Sequence, residues 1–181
     1  MLFRSYQPDY YEAYRWLGII ADVTGDYDAA IRYYERGAAI KPFSEEPWMH
    51  IAMTRQRQGN PDAAHDAYLK QQELSERKLS VNGADTVVLS RLAGVFAHAG
   101  DFEKAIDAMR KAVEADPSDG LSQYNCACTY AVMGNTPEAL ACLQRAIDAG
   151  YRNVGAWVKS DPDLATLRET EEFRKLLAEF E

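Results

Sequence analysis

The sequence predicts an all-α fold, an array of helical hairpins closed by a helical cap at its C-terminal end. Three observations predict it. A glycine followed by Asp or Asn recurs as Gly25-Asp26, Gly59-Asn60, Gly100-Asp101 and Gly134-Asn135, at intervals of 34, 41 and 34 residues. The segments between these pairs carry apolar residues at the 3.6-residue period of an amphipathic helix. A period in the thirties built of two helices is the mark of a solenoid, in which each unit buries its apolar face against its neighbours.

The first hairpin, 11–44, is the template. Tyr14, Leu17, Gly18 and Ala21 fall at i, i+3, i+4 and i+7, one stripe of a helix. Gly25 ends that helix, since glycine accepts the left-handed conformation of a C-terminal turn. Asp26 caps the next helix, whose stripe is Tyr27, Ala30, Ile31, Tyr34 and Ala38, and Pro42 stops it. The second unit, 45–85, has Pro61 in the first turn of its second helix, where a missing N–H costs little. Its interval exceeds the others by seven residues, about two helical turns, so the stripe keeps its face. One long helix is expected from Pro61 to about Val81, ended by Asn82-Gly83, with Asp85 capping the next. Units three and four are 86–119 and 120–150. After Gly150 the repeat stops, and 151–181 is expected to cap the array. Ser160-Asp161-Pro162-Asp163 signals a helix start with Ser160 as cap. Thr170-Glu171-Glu172 starts another helix, Glu171 to about Phe180. Trp157, Leu164, Leu167, Phe173, Leu176 and Leu177 supply its apolar faces.

These residues resemble the tetratricopeptide repeat. Tyr14, Leu17-Gly18, Gly25, Ala30, Tyr34 and Pro42 fall in that family's slots. The second unit fills them with Trp48, Ile51-Ala52, Gly59, Ala64 and Tyr68, and the third with Leu89, Leu92-Ala93, Gly100, Ala105, Met109 and Pro117. The fourth uses Gln123, Cys126-Ala127, Gly134, Ala139 and Leu143. Gly37 and Gln71 stand where a packing alanine is usual, and Gln123 where an aromatic is usual. The resemblance implies a right-handed superhelical array that binds proteins or peptides and carries no catalysis of its own.

A narrower resemblance covers the tail. Tyr124-Asn125-Cys126-Ala127-Cys128 with Tyr130-Ala131, then Ala149-Gly150-Tyr151-Arg152, Trp157 and Asp161-Pro162-Asp163-Leu164 with Leu167-Arg168, are similar to the C-terminal end of bacterial multidomain signalling proteins. In those a nucleotide cyclase, Ser/Thr kinase or DNA-binding domain precedes the array. This implies the C-terminal regulatory or interaction region of a longer chain, with an upstream domain of the same chain as a potential partner. The alternatives are a stand-alone adaptor and a fragment of an enzyme whose catalytic domain lies elsewhere. Pro8, 34 residues before Pro42, takes the closing slot of an earlier unit. Residues 1–10 are accordingly read as the remnant of that unit or as an artefactual N-terminus, and the uncovered N-terminal edge as a potential dimer contact.

Composition narrows the partners. The net charge of −8 argues against nucleic acid and anionic membranes, and no apolar run is long enough to span a bilayer. An odd count of three cysteines points to a reduced compartment, so a cytoplasmic location is expected. Cys126 and Cys128 are two apart and face different sides of a helix, and His50, His65 and His98 lack metal-ligand spacing. Asp161 and Asp163 flank a helix start, where carboxylates complement the dipole. The sequence contains no phosphate-binding loop or nucleophile elbow, and no catalytic, cofactor or metal residue is assigned.

The resemblance puts the first helices of the units on the concave side. The residues it points into the groove are Arg15, Ile19 and Asp22, then Met49, Met53 and Arg57, then Ser90 and His98, then Leu121, Tyr124, Cys128 and Val132. The first half is mixed and charged, the second small and apolar. Arg15 and Ile19 occupy slots where a chaperone-tail carboxylate clamp requires Lys and Asn, so that ligand is not implied.

Overall fold

The computed structural model describes residues 10–151, 158–159 and 161–178. All regular structure among them is helical. Four helix pairs, α1 (Tyr11–Val23) and α2 (Tyr27–Ile40), α3 (Glu46–Arg57) and α4 (Pro61–Leu79), α5 (Thr86–His98) and α6 (Phe102–Ala115), α7 (Gly120–Val132) and α8 (Thr136–Asp148), are followed by a 3-10 turn, Pro162–Leu164, and α9 (Glu171–Ala178). The expectations placed on Pro8, Arg152, Trp157, Ser160 and Phe180 lie outside the described residues.

Every pair is joined by a turn of the same design. Gly25, Gly59, Gly100 and Gly134 sit at φ of +84°, +74°, +76° and +76°, a region that residues with a Cβ rarely adopt. The amide after each glycine reaches back five residues, as Asp26 to Ala21, Asn60 to Arg55, Asp101 to Phe96 and Asn135 to Tyr130, at 2.9 to 3.0 Å. The glycine amide itself reaches back three, closing a Schellman motif. The same Asp or Asn then opens the next helix. Asp26 accepts from the Ala29 amide at 3.0 Å, Asn60 from Ala63 at 3.2 Å and Asp101 from Lys104 at 3.3 Å. Asn135 makes no such bond.

The chain forms two compact units, Met1–Lys70 and Gln71–Glu181. In the first, Gly18 lies under the Tyr34 ring. A Cβ on Gly18 would stand 2.4 Å from Tyr34 Cε1. Tyr34 is buried and stacks on His50 with centroids 4.8 Å apart. Gly37 lies under the Tyr11 ring, whose hydroxyl donates to Glu46 Oε2 at 2.8 Å. Ala30 and Ala52 are fully buried. Leu17 departs from the expected stripe. It is 43% exposed, whereas Ile51 and Leu92, in the same slot of later hairpins, are buried. The cause is position, for among the described residues α2 and α3 cover one side of α1 and no helix covers the other.

The second unit packs small residues into its crossings, with Ala93, Ala105, Ala112, Ala127, Ala139 and Ala146 fully buried. Gln123, in the slot that usually holds an aromatic, is buried with its amide in use. Its Nε2 donates to the Pro117 carbonyl at 3.1 Å, and its Oε1 accepts from Arg145 Nε at 3.0 Å. Val158, Leu164, Leu167 and Phe173 join the same core as Cys126, Cys142 and Leu143, and the tail contacts α7 and α8. The tail is therefore a cap. At Pro162–Leu164 the chain forms a 3-10 turn rather than an α-helix, and Asp161 supplies a side-chain cap, accepting from the Asp163 amide at 3.0 Å. A 3-10 turn and its continuation align residues three apart, which sends both Leu164 and Leu167 inward. The long helix α4 ends at Leu79, two residues short of the expected end.

Gly18→Ala should destabilise the protein. The overlap with Tyr34 costs about 1–3 kcal/mol and outweighs the gain of about 0.5–1 kcal/mol from removing a helical glycine, because Tyr34 is pinned by His50. Urea melts measure the difference, and an unchanged midpoint would show that Tyr34 can move away.

Candidate functional site

The residues expected to face a groove separate by unit. In Met1–Lys70, α1 contributes Arg15, Ile19 and Asp22, and α3 contributes Met49, Met53 and Arg57. Ile19 and Asp22 are buried, and the other four are half-buried. The Arg57 guanidinium pairs with the Asp22 carboxylate across the α1–α3 crossing. Asp22 Oδ1 and Arg57 Nε, both buried, have no hydrogen-bond partner among the described residues. Arg15 donates through Nε to Glu12 at 2.9 Å and lies 4.7 Å from the centre of the Trp16 ring. This wall thus combines two adaptable thioethers with a fixed ion pair.

In Gln71–Glu181, α5 contributes Ser90 and His98, and α7 contributes Leu121, Tyr124, Cys128 and Val132. Ser90 is fully buried and packs the helices, its Oγ accepting from Asn125 Nδ2 at 2.9 Å. Leu121 and Val132 are half-buried. His98, Tyr124 and Cys128 all meet the chain's own tail. The Tyr124 hydroxyl donates to Asp161 Oδ2 at 2.7 Å, and Cys128 Sγ lies 3.8 Å from the same oxygen. His98 Nε2 is 3.0 Å from Asp163 Oδ1. Arg168 donates to the Asp161 carbonyl. A short acidic segment of the chain therefore occupies this stretch of wall.

The electrostatics follow from burial. The Tyr124 hydroxyl is pushed well above its ordinary range by burial, then by the charges of Cys128 and Asp161. The Cys128 thiol is likewise pushed up, by burial first and then by Asp161 and Asp163. Both stay protonated near neutrality. On the opposite side of α7 the Cys126 thiol donates to Cys142, which raises Cys126 and lowers Cys142. Arg145 Nη2 also donates to Cys142 at 3.0 Å. These two cysteines belong to the core.

The meeting of Asp161 and Asp163 with His98, Tyr124 and Cys128 was not visible in the sequence. The partners lie 33 to 65 residues apart, and the helix-start role of the two carboxylates explains their spacing without any partner.

Three family models described as tetratricopeptide repeat match the chain, over residues 2–45, 44–118 and 96–157. A chloroplastic protein from Arabidopsis thaliana is 30% identical over 89 residues, 48% of this chain. The match spans 26% of that relative's length. Among solved structures, a crystal structure of MamA is 19% identical with a TM-score of 0.44, covering 82% of each chain. A MamA fragment from Desulfovibrio magneticus RS-1 is 18% identical with a TM-score of 0.43, covering 94% of each.

Tyr124→Phe removes the donor to Asp161 and leaves a buried carboxylate oxygen short of a partner. The expected loss is about 1–3 kcal/mol. It should appear as a lower denaturation midpoint and faster exchange of the Leu164 and Leu167 amides. Unaltered exchange there would show that this bond does not hold the tail.

Proposed function

The chain is built of tetratricopeptide repeats, and from that premise we propose that it is a non-catalytic scaffold that binds a peptide or a partner protein along the first helices of its hairpins. The observation that carries the reading is the contrast between the two walls. In the second unit the tail already occupies His98, Tyr124 and Cys128. In the first, Arg15, Met49 and Met53 remain partly open beside the Asp22–Arg57 pair. Such a wall suits an extended segment with an apolar side chain for the methionines and a carboxylate for Arg15.

The setting we infer is the interaction region of a bacterial multidomain signalling protein in the cytoplasm, with an upstream domain of the same chain among its partners. The tail motif supports this setting, and no described helix is long and apolar enough to cross a membrane. A peptide array probed with the whole chain tests the binding role. Met53→Lys should weaken the captured peptides at least tenfold while the melting temperature stays unchanged. Binding indifferent to Met53 and Arg15 would remove the groove from the mechanism.

A second contact is proposed at the outer face of α1. Trp16, Leu17, Ile20 and Val23 are 53%, 43%, 58% and 66% exposed, and an apolar patch of this kind drives association. Two copies should pair through it. Sedimentation should show a concentration-dependent dimer that Ile20→Glu abolishes, and a wild-type chain that stays monomeric at high concentration would exclude the contact.

A further inference from the structure

The side chains that hold the tail against α7 are also metal-ligand types. Cys128 Sγ, a carboxylate oxygen of Asp161 and one of Asp163 lie within 4.8 Å of one another, with Cys128 and Asp161 buried and Asp163 half-buried. His98 Nε2 stands beside one of them, 3.0 Å from Asp163 Oδ1. The four donors come from α5, α7 and the 3-10 turn with its cap. We propose that Cys128, Asp161, Asp163 and His98 form a binding site for one divalent transition-metal ion of borderline softness, Zn²⁺ before others. This site is independent of the peptide-binding reading.

The donor set selects the ion class. One thiolate, one imidazole and two carboxylates suit Zn²⁺, whereas Ca²⁺ and Mg²⁺ take oxygen donors. Two of the donor spacings are close to what a tetrahedral ion needs. Bond lengths of about 2.3 Å to sulfur and about 2.0 Å to oxygen put those two donors about 3.5 Å apart, and Cys128 Sγ stands 3.8 Å from Asp161 Oδ2. The corresponding separation of nitrogen and oxygen is about 3.3 Å, against 3.0 Å between His98 and Asp163. The spread of up to 4.8 Å among the Cys128, Asp161 and Asp163 donors would contract by about 1 Å or more as the ion binds.

Its surroundings would orient the ligands. Asp161 already accepts from the Tyr124 hydroxyl on Oδ2 and from the Asp163 amide on Oδ1. Hydrogen bonds of this kind to a ligating carboxylate fix its direction. The ion would also relieve the local electrostatics. Two carboxylates beside a buried thiol oppose its ionisation, and a dication at their centre reverses that. Binding would release the thiol proton, Zn²⁺ plus Cys–SH giving Zn–S–Cys and H⁺, so affinity should rise with pH. The bound ion would tie the cap to α5 and α7 together.

Titration of the chelator-stripped whole chain with Co²⁺ tests the site. One equivalent should bind and give thiolate-to-cobalt charge-transfer absorption in the near ultraviolet, lost on adding Zn²⁺. Cys128→Ser should abolish the band, while the Cys126→Ser, Cys142→Ser double variant keeps it. Zn²⁺ should raise the melting temperature of the wild-type chain in a concentration-dependent way. Asp163→Asn, at a half-buried position, should weaken Co²⁺ at least tenfold and decides the question if Cys128→Ser fails to fold. The absence of saturable uptake overturns the proposal and leaves a hydrogen-bonded cap alone. So does a band that survives Cys128→Ser, a band lost in the double variant, or an unchanged affinity in Asp163→Asn.

Discussion

Each hairpin depends on a three-residue turn in which one glycine takes a left-handed conformation and the residue after it serves two helices. The Asp26 amide closes α1 through Ala21, and its carboxylate opens α2 through Ala29. Gly59-Asn60 and Gly100-Asp101 do the same. The double use leaves no slack between helices. With both ends fixed within three residues, the facing side chains of a pair are set, and the packing slots follow. Asn135 lacks the opening bond, yet its amide still reaches Tyr130 at 2.9 Å. The Schellman half of the turn is thus common to all four pairs.

The slots are filled by complementary size rather than by fixed identity. Gly18 makes room for Tyr34, and Gly37 for Tyr11. In the second unit alanines take the crossings. Gln123 shows the limit of that tolerance. A buried amide is costly unless its donor and acceptor are used, and Pro117 and Arg145 supply both partners. The charged pair Asp22–Arg57 differs, since Asp22 Oδ1 and Arg57 Nε are buried without a hydrogen-bond partner among the described residues, and breaking the pair from one side would leave a buried charge.

The two units present different surfaces for the same slots. The tail covers His98, Tyr124 and Cys128, and makes that stretch of wall part of the fold. The wall between α1 and α3 keeps Arg15, Met49 and Met53 partly open. Under the proposed binding role, a chain that fills one wall with its own acidic segment and leaves the other accessible would have a narrower choice of ligand than its repeat pattern suggests.

The helices, their turns and their phase were legible in the linear chain, because these are local. Glycine at a left-handed position, Asp or Asn at a cap, and apolar residues at a 3.6 period each act within a few residues. The capping role of the tail was legible from its apolar residues after the repeat ended. Three matters depended on packing between separate elements. Leu17 carries the same pattern as Ile51 and Leu92, yet is exposed because burial depends on a neighbouring helix. The expected helix after residue 160 is a 3-10 turn whose three-residue bonds continue to Leu167, with Leu164 and Leu167 both in the core. Finally, Asp161 and Asp163 read locally as helix-start carboxylates. Only folding brings them, across 33 to 65 residues, against Cys128, Tyr124 and His98. Periodicity carries information about neighbours in sequence, and side chains that meet through the packing of separate elements leave no trace in it.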